Sequence, residues 1–336
     1  MSSSQREERD ALTTAYAPGK VILLGEHAVV YGRPAIAVPV TQVRACAVVK
    51  DAPSGQGLVI EAVDLNLQHH VGTAITTGDP AYPLEATVRH TLERFGIETT
   101  PDLTLTVSST VPIARGLGSG AAIATAIVRA LAQHLGRTVT PGEVSDLVYR
   151  TEIIHHGTPS GIDNTVVAFE QPVYFVKGQP IEILQVGQPF WLVIGDTGIA
   201  SPTKIAVADV RRGWQEEPER YETLFDRIAA IAVRAREAIG AGEIVVLGTL
   251  MDENQELLEA IGVSSTGLER LIDGARAAGA MGAKLCGAGR GGNMIALIAP
   301  EKAQAVATAV REAGATNTIV SKVGAIHELP LQGTEI

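Results

Sequence analysis

The sequence predicts a two-domain α+β protein, and three observations carry that prediction. A glycine run, Gly116-Leu-Gly-Ser-Gly120, lies between a strand pattern and a helix pattern. The composition turns Gly- and Pro-rich over residues 177–190, which separates a first domain, residues 1–185, from a second, residues 186–336. Beyond that break, helix and strand patterns are mixed in the irregular order of an α+β half.

At 336 residues the chain has length enough for two domains with ample cores. Its 46% hydrophobic and 19% charged residues are ordinary for a soluble protein. A net charge of −10 with no basic cluster argues against a nucleic-acid partner. No apolar run approaches membrane-spanning length, so no membrane partner is expected. The N-terminus, Met1 to Asp10, reads as a loose polar tail rather than a signal peptide. The two cysteines, Cys46 and Cys286, offer neither a disulfide framework nor zinc spacing. A cytoplasmic enzyme is expected.

The glycine run is the centre of the first domain. Leu103-Thr-Leu-Thr-Val107 alternates as a half-buried strand does, and Ala121 to Leu135 is apolar enough and long enough for a helix. Gly116, Gly118 and Gly120 let the backbone turn tightly and leave its N–H groups bare, with Ser119 as the hydroxyl among them. A strand, a glycine loop and a helix start in that order make either a tight turn or an anion site, most often for phosphate. It is not a Walker A loop, which ends Gly-Lys-Ser/Thr where this chain has Ser119-Gly120-Ala121. Nor is it a dinucleotide fingerprint, because the acids near the required place, Glu143 and Asp146, lie inside a helical pattern.

Elsewhere the elements follow in order. Val21 to Leu24 and Ala35 to Val38 are apolar strands around a turn at Tyr31-Gly-Arg-Pro34, and Leu84 to Phe95 is an amphipathic helix. Glu26 and His27 are either a surface turn or functional, and Lys20 is either a solvated strand end or functional. Pro141 to His156 forms a helix that Thr140 and Glu143 can cap as a capping box. On it, Glu152 falls at the edge of the buried face, where a carboxylate is salt-bridged or holds a cation. His155 and His156, at its end, read as helix-terminal or surface residues rather than metal ligands. Gly157 to Asn164 is a polar turn, and Thr165 to Phe169 reads as a strand. In the second domain Phe190 to Ile194 is a strand, and Gly195 to Lys204 is a polar loop before a helix. Helices follow over roughly 216–239, 241–260 and 265–279. A second glycine loop, Gly282 to Gly292, runs into the strand Asn293 to Ile298; Ala303 to Ala313 is a helix and Thr318 to Val323 a last strand.

Three of these stretches, Pro18 to Gly32, Pro112 to Ala122 and Gly282 to Gly292, resemble the three motifs of the GHMP small-molecule kinases. Gly-Glu-His-Ala-Val-Val-Tyr-Gly at 25–32 and Gly157-Thr-Pro-Ser-Gly-Ile-Asp-Asn164 are similar to the mevalonate kinase branch of that family. The resemblance spans most of the chain in the expected order. It implies a two-domain GHMP kinase fold with a ferredoxin-like C-terminal domain and an active site in the inter-domain cleft. It also implies ATP- and Mg2+-dependent phosphorylation of the mevalonate 5-hydroxyl. By the same resemblance Asp163 is the general base and Lys20 its alkoxide-stabilising partner. Glu152 and Ser119 hold Mg2+, and the backbone of Gly116, Leu117, Gly118, Ser119, Gly120 and Ala121 holds the ATP phosphates. Glu26, His27 and Thr203 lie by the substrate. A homodimer is left open.

Two positions depart from the family pattern. Gly120 stands where a second, metal-binding serine is usual, leaving that ligand to Ser119 or water. Arg290 interrupts the third motif, either as a cation at the phosphates or as a solvent-facing side chain. Another kinase of the family, such as a phosphomevalonate kinase, would need basic residues for a second substrate phosphate, which the Glu26-His27 region does not obviously offer. A non-catalytic ligand sensor of the same fold would have little use for both Lys20 and Asp163.

Overall fold

The computed structural model describes residues 12–324 apart from 114, 157, 158 and 202. The N-terminal tail, the first two residues of the Gly157–Asn164 motif and the side chains of His155 and His156 lie outside the described residues. Contacts divide the chain into two compact units that exchange a segment. One holds Met1–Val21 and Pro39–Glu170, the other Ile22–Val38 and Gln171–Ile336. The composition shift at 177–190 therefore falls some way past the last residue of the first unit, because the strands just after Glu170 pair with the second unit's share of the N-terminal chain.

In the first unit, β1 (Thr13–Leu24, whose last three residues belong to the other unit) pairs with β2 (Ala35–Asp51). The sheet continues with β3 (Leu58–Ala62), β4 (Leu67–His70) and, after α1 (Ala81–Arg94), β5 (Leu103–Ser109). Its order is β4-β3-β5-β2, with β5 antiparallel to β2 and parallel to β3. Three helices follow: α2 (Ser119–His134), α3 (Pro141–His156) and α4 (Ile162–Phe169). The capping box of α3 forms as the spacing predicts. The Glu143 N–H donates to Thr140 Oγ1 at 3.2 Å, and the Thr140 N–H donates to Glu143 Oε2 at 2.9 Å.

α4 corrects the sequence reading, which made Thr165 to Phe169 a strand. A short apolar run has no period that separates a buried helix from a buried strand. Local polar bonds decide it: Thr165 Oγ1 donates to the Gly161 carbonyl at 2.7 Å, and Asn164 Nδ2 donates to Ser145 Oγ on α3 at 2.8 Å. Ile162, Val166, Val167 and Ala168 are then buried in a unit where α4 packs on α2 and α3.

In the second unit, β6 (Val173–Phe175) pairs with the start of β2, and β7 (Glu182–Ile183) pairs with β6. Next come β8 (Phe190–Asp196) and the helices α5 (Thr203–Glu216), α6 (Pro218–Ala241), α7 (Ile244–Ile261) and α8 (Thr266–Ala277). β9 (Gly282–Cys286), β10 (Asn293–Ile298), α9 (Ala303–Glu312) and β11 (Asn317–Val323) complete it. The sheet order β11-β8-β10-β9, antiparallel throughout, is the ferredoxin-like arrangement, with four helices rather than one between its first two strands. The second glycine loop is shorter than its composition suggests, because Gly282 to Cys286 is strand β9 and only residues 287–292 turn. All six residues of β10 are buried, so the strand shows no alternation. Among the described residues no helix is long and apolar enough to cross a membrane.

Candidate active site

In the first unit, Gly116 and Gly118 take φ of 79° and 75°, which turn the chain out of β5 and into α2. Ser119 is the first residue of α2, two residues earlier than the apolar pattern begins. Among the described residues no side chain caps this helix start, where the first-turn amides and the positive end of the dipole favour an anion. Leu117 is buried, and its carbonyl accepts the Lys20 N–H at 2.9 Å. That bond lays β1 along the loop. The Lys20 stem then crosses Gly118 so closely that a Cβ there would stand 2.8 Å from Lys20 Cγ.

Lys20 is 3% exposed, and its ammonium meets Asp163 Oδ1 at 2.9 Å. Asp163 lies in the first turn of α4, where the helix dipole favours a carboxylate. The bonds from Asn164 to Ser145 fix that turn against α3. Glu152 stands seven residues after Ser145, two helical turns on, and so shares the α3 face that α4 packs against. Its carboxyl is pushed up to about 8, first by burial and then by the nearby Asp163 charge, while Lys20 acts in the opposite sense. Lys20, Asp163 and Glu152, distant in sequence, thus form one group of titratable side chains next to the glycine loop.

The second unit holds the other expected residues. Gly25 at φ 97° approaches Ala35 and Pro34 so closely that a Cβ would lie 2.5 Å from the Ala35 Cα. His27 follows with φ 61° and ψ −50°, at the centre of a tight turn closed by the Ala28 N–H on the Glu26 carbonyl, a backbone uncommon for a residue with a Cβ. Its Nε2–H donates to the Ala288 carbonyl at 3.1 Å, which fixes the tautomer. Burial drives its pKa from the usual 6.5 down to about 4, the Ala288 hydrogen bond opposes that, and the charges of Arg290 and Lys284 lower it further. The imidazole is neutral at pH 7.

Glu26 is not a surface turn residue. It is 1% exposed and forms a buried ion pair with Lys284 on β9, and Asn254 Nδ2 on α7 donates to its other oxygen at 3.4 Å. Lys284 escaped the sequence reading. Its signal was there, as a lysine inside the otherwise apolar strand Gly-Ala-Lys-Leu-Cys.

Thr203 is the exposed first residue of α5. The segment before it is laced to the second glycine loop. Ser201 Oγ donates to the Gly289 carbonyl, Thr197 Oγ1 to the Gly292 carbonyl, and the Gly292 N–H to the Ile199 carbonyl, each at 2.8 Å. Arg290 stands at φ 60° with its side chain partly exposed, and its guanidinium pairs with Asp209 on α5, which ties the loop to that helix as well.

The model of the GHMP kinases N terminal domain matches residues 82–171, and that of the GHMP kinases C terminal matches residues 235–316. The mevalonate kinase of Thermococcus sibiricus is 36% identical over 326 residues, covering 92% of this chain and 95% of the relative. That of Pyrococcus abyssi is 36% identical over 335 residues, covering 93% and 97%. Among solved structures, L. major mevalonate kinase in complex with R-mevalonate matches with a TM-score of 0.78 at 28% identity, over 92% of this chain and 95% of that one. With glycine loop, lysine–aspartate pair and ferredoxin-like half all in place, the chain belongs to the GHMP kinases, in the mevalonate kinase family.

Proposed function

We propose that the protein transfers the γ-phosphoryl group of ATP to the 5-hydroxyl of mevalonate, giving 5-phosphomevalonate and ADP. The observation that carries this reading is the Lys20–Asp163 pair at 2.9 Å, with the lysine buried and laid across Gly118 of the loop. Phosphoryl transfer asks for in-line placement and charge neutralisation more than for covalent help. Asp163 accepts the hydroxyl proton as the oxygen bonds to the γ-phosphorus and the bond to the ADP oxygen breaks. Lys20 stabilises the negative charge that develops on the attacking oxygen. The backbone from Gly116 to Ala121, at the start of α2, receives the phosphates.

Mg2+ fits the donors present. A carboxyl held at about 8 by burial beside another carboxylate gains its charge readily when a hard cation stands next to it. Glu152 and the Ser119 hydroxyl would hold the ion, which when bound neutralises phosphate charge. His27 offers substrate a neutral, oriented ring, and Thr203 a hydroxyl at the start of α5. Glu26, buried with Lys284, supports the His27 turn. A cytoplasmic setting suits Cys46 and Cys286, neither of which is in a disulfide.

The test is ADP release across mevalonate, phosphomevalonate, galactose and homoserine, with the product identified by mass. Turnover confined to mevalonate supports the proposal; preference for phosphomevalonate or a sugar overturns it.

A further inference from the structure

Glu26 and His27 are consecutive, yet the second unit holds them by different means. Glu26 is fixed from β9 and α7, through Lys284 and Asn254. His27 is held from the loop that follows β9, through the Ala288 carbonyl. Between them the backbone has little freedom. Gly25 is pressed against Ala35, the Ala28 N–H bonds the Glu26 carbonyl at 2.7 Å, and the Val29 N–H bonds the Gly25 carbonyl at 3.1 Å. Lys284 itself is fully buried, and its Nζ also donates to the Leu285 carbonyl at 2.5 Å. The Leu285 N–H donates to Gln255 Oε1 at 2.8 Å, and Gln255 Nε2 donates to Glu269 at 3.0 Å. A charge as deeply buried as that of Lys284 persists only when its partners are tightly defined, so its ammonium is an anchored point. A strained backbone such as that of His27, at φ 61° and ψ −50°, likewise persists only where its surroundings over-determine it.

We propose that Lys284 is a positioning residue. Through its buried ion pair with Glu26 it holds the 25–28 turn, and so orients the His27 ring for substrate. The inference rests on the mevalonate kinase reading, in which His27 lies by the substrate. Lys284 touches neither substrate nor nucleotide in this account, and it sets KM for the alcohol rather than for ATP.

Removing Lys284 alone strands a buried carboxylate and lowers the melting temperature whatever the pair does for function, so the decisive protein is Glu26→Gln/Lys284→Met. It carries neither charge and nearly keeps both volumes. The expected result is near-wild-type melting, KM for mevalonate raised about tenfold, KM for ATP within about twofold, and a displaced His27 Nε2 resonance by 15N NMR. Wild-type KM and a wild-type resonance in that folded protein would make the pair a core charge only. Should the double variant fail to fold, Glu26→Asp keeps both charges but shortens the reach by one methylene. It is expected to raise the mevalonate KM and move the His27 resonance by smaller amounts, and no change in either overturns the proposal. If the wild-type protein does not phosphorylate mevalonate, the substrate reading falls and the resonance decides alone: a displaced signal keeps Lys284 as the residue that orients His27, an unmoved one removes it.

Discussion

Lys20 meets Asp163 at 2.9 Å along a stem that crosses Gly118, where a Cβ would stand 2.8 Å from Lys20 Cγ. The Lys20–Asp163 pair and the glycine loop are therefore a single construction, and a change in one is felt by the other.

Asp163→Ala is expected to keep the fold and lower kcat by about a hundred- to ten-thousandfold, the range of a positioned general base. Lys20→Met should lower kcat comparably, since it removes the cation at the attacking oxygen. Single-turnover rates on variants with unchanged circular dichroism check both. A Lys20→Met protein altered in melting temperature but not in kcat would make the lysine structural.

Gly118→Val and Ser119→Ala should fail differently. The valine must adopt φ near 75°, and its Cβ would stand 2.8 Å from Lys20 Cγ, so nucleotide binding and the Lys20–Asp163 pair are disturbed together. On the proposed reading, loss of the Ser119 hydroxyl removes one contact to a charged group, about 1–3 kcal/mol. Calorimetric titration with a non-hydrolysable ATP analogue should show near-complete loss in the first variant and a moderate loss in the second. Equal wild-type affinities would reduce the loop to a turn.

Glu152→Gln keeps the size of the side chain and loses its charge, so the Mg2+ midpoint of activity should rise more than KM for mevalonate does. Titration of activity against Mg2+ at fixed ATP measures this. An unchanged midpoint would take Glu152 out of the metal site.

His27, at about 4 in the folded protein against 6.5 in the unfolded chain, gives a pH dependence of definite sign. Between those values the unfolded chain binds the extra proton, so stability is full above about pH 6.5 and is lost as pH falls toward 4. The difference corresponds to on the order of 3 kcal/mol. Chemical denaturation at several pH values should show this acid-side loss, and His27→Asn, which keeps a polar side chain without a group that titrates in this range, should flatten it. Equal slopes in the two proteins would exclude His27 as the source.

Arg290→Gly should leave ATP affinity within about twofold, because the guanidinium charge is already paired with the half-buried Asp209 carboxylate. Glycine also suits the φ of 60° at that position. A large fall in ATP affinity on calorimetric titration would return Arg290 to the phosphates.

The sequence by itself determined the elements whose signals are local. The glycine loop follows from Gly116 and Gly118, the capped α3 from Thr140 and Glu143, and the second half's sheet strands and long helices from their apolar patterns. The motif resemblance named Lys20, Asp163 and Glu152 before any contact was known. Only the tertiary structure decided what depends on partners far along the chain. Val166, Val167 and Ala168 became helix because Asn164 found Ser145 on α3. Glu26 went from a candidate surface acid to a buried one because Lys284, 258 residues away, neutralises it. Arg290 turned to Asp209, a residue that nothing in its own motif foretells. Backbone turns and caps are fixed by neighbours within a few residues, whereas the partner of a charge is fixed by packing, which no local pattern records.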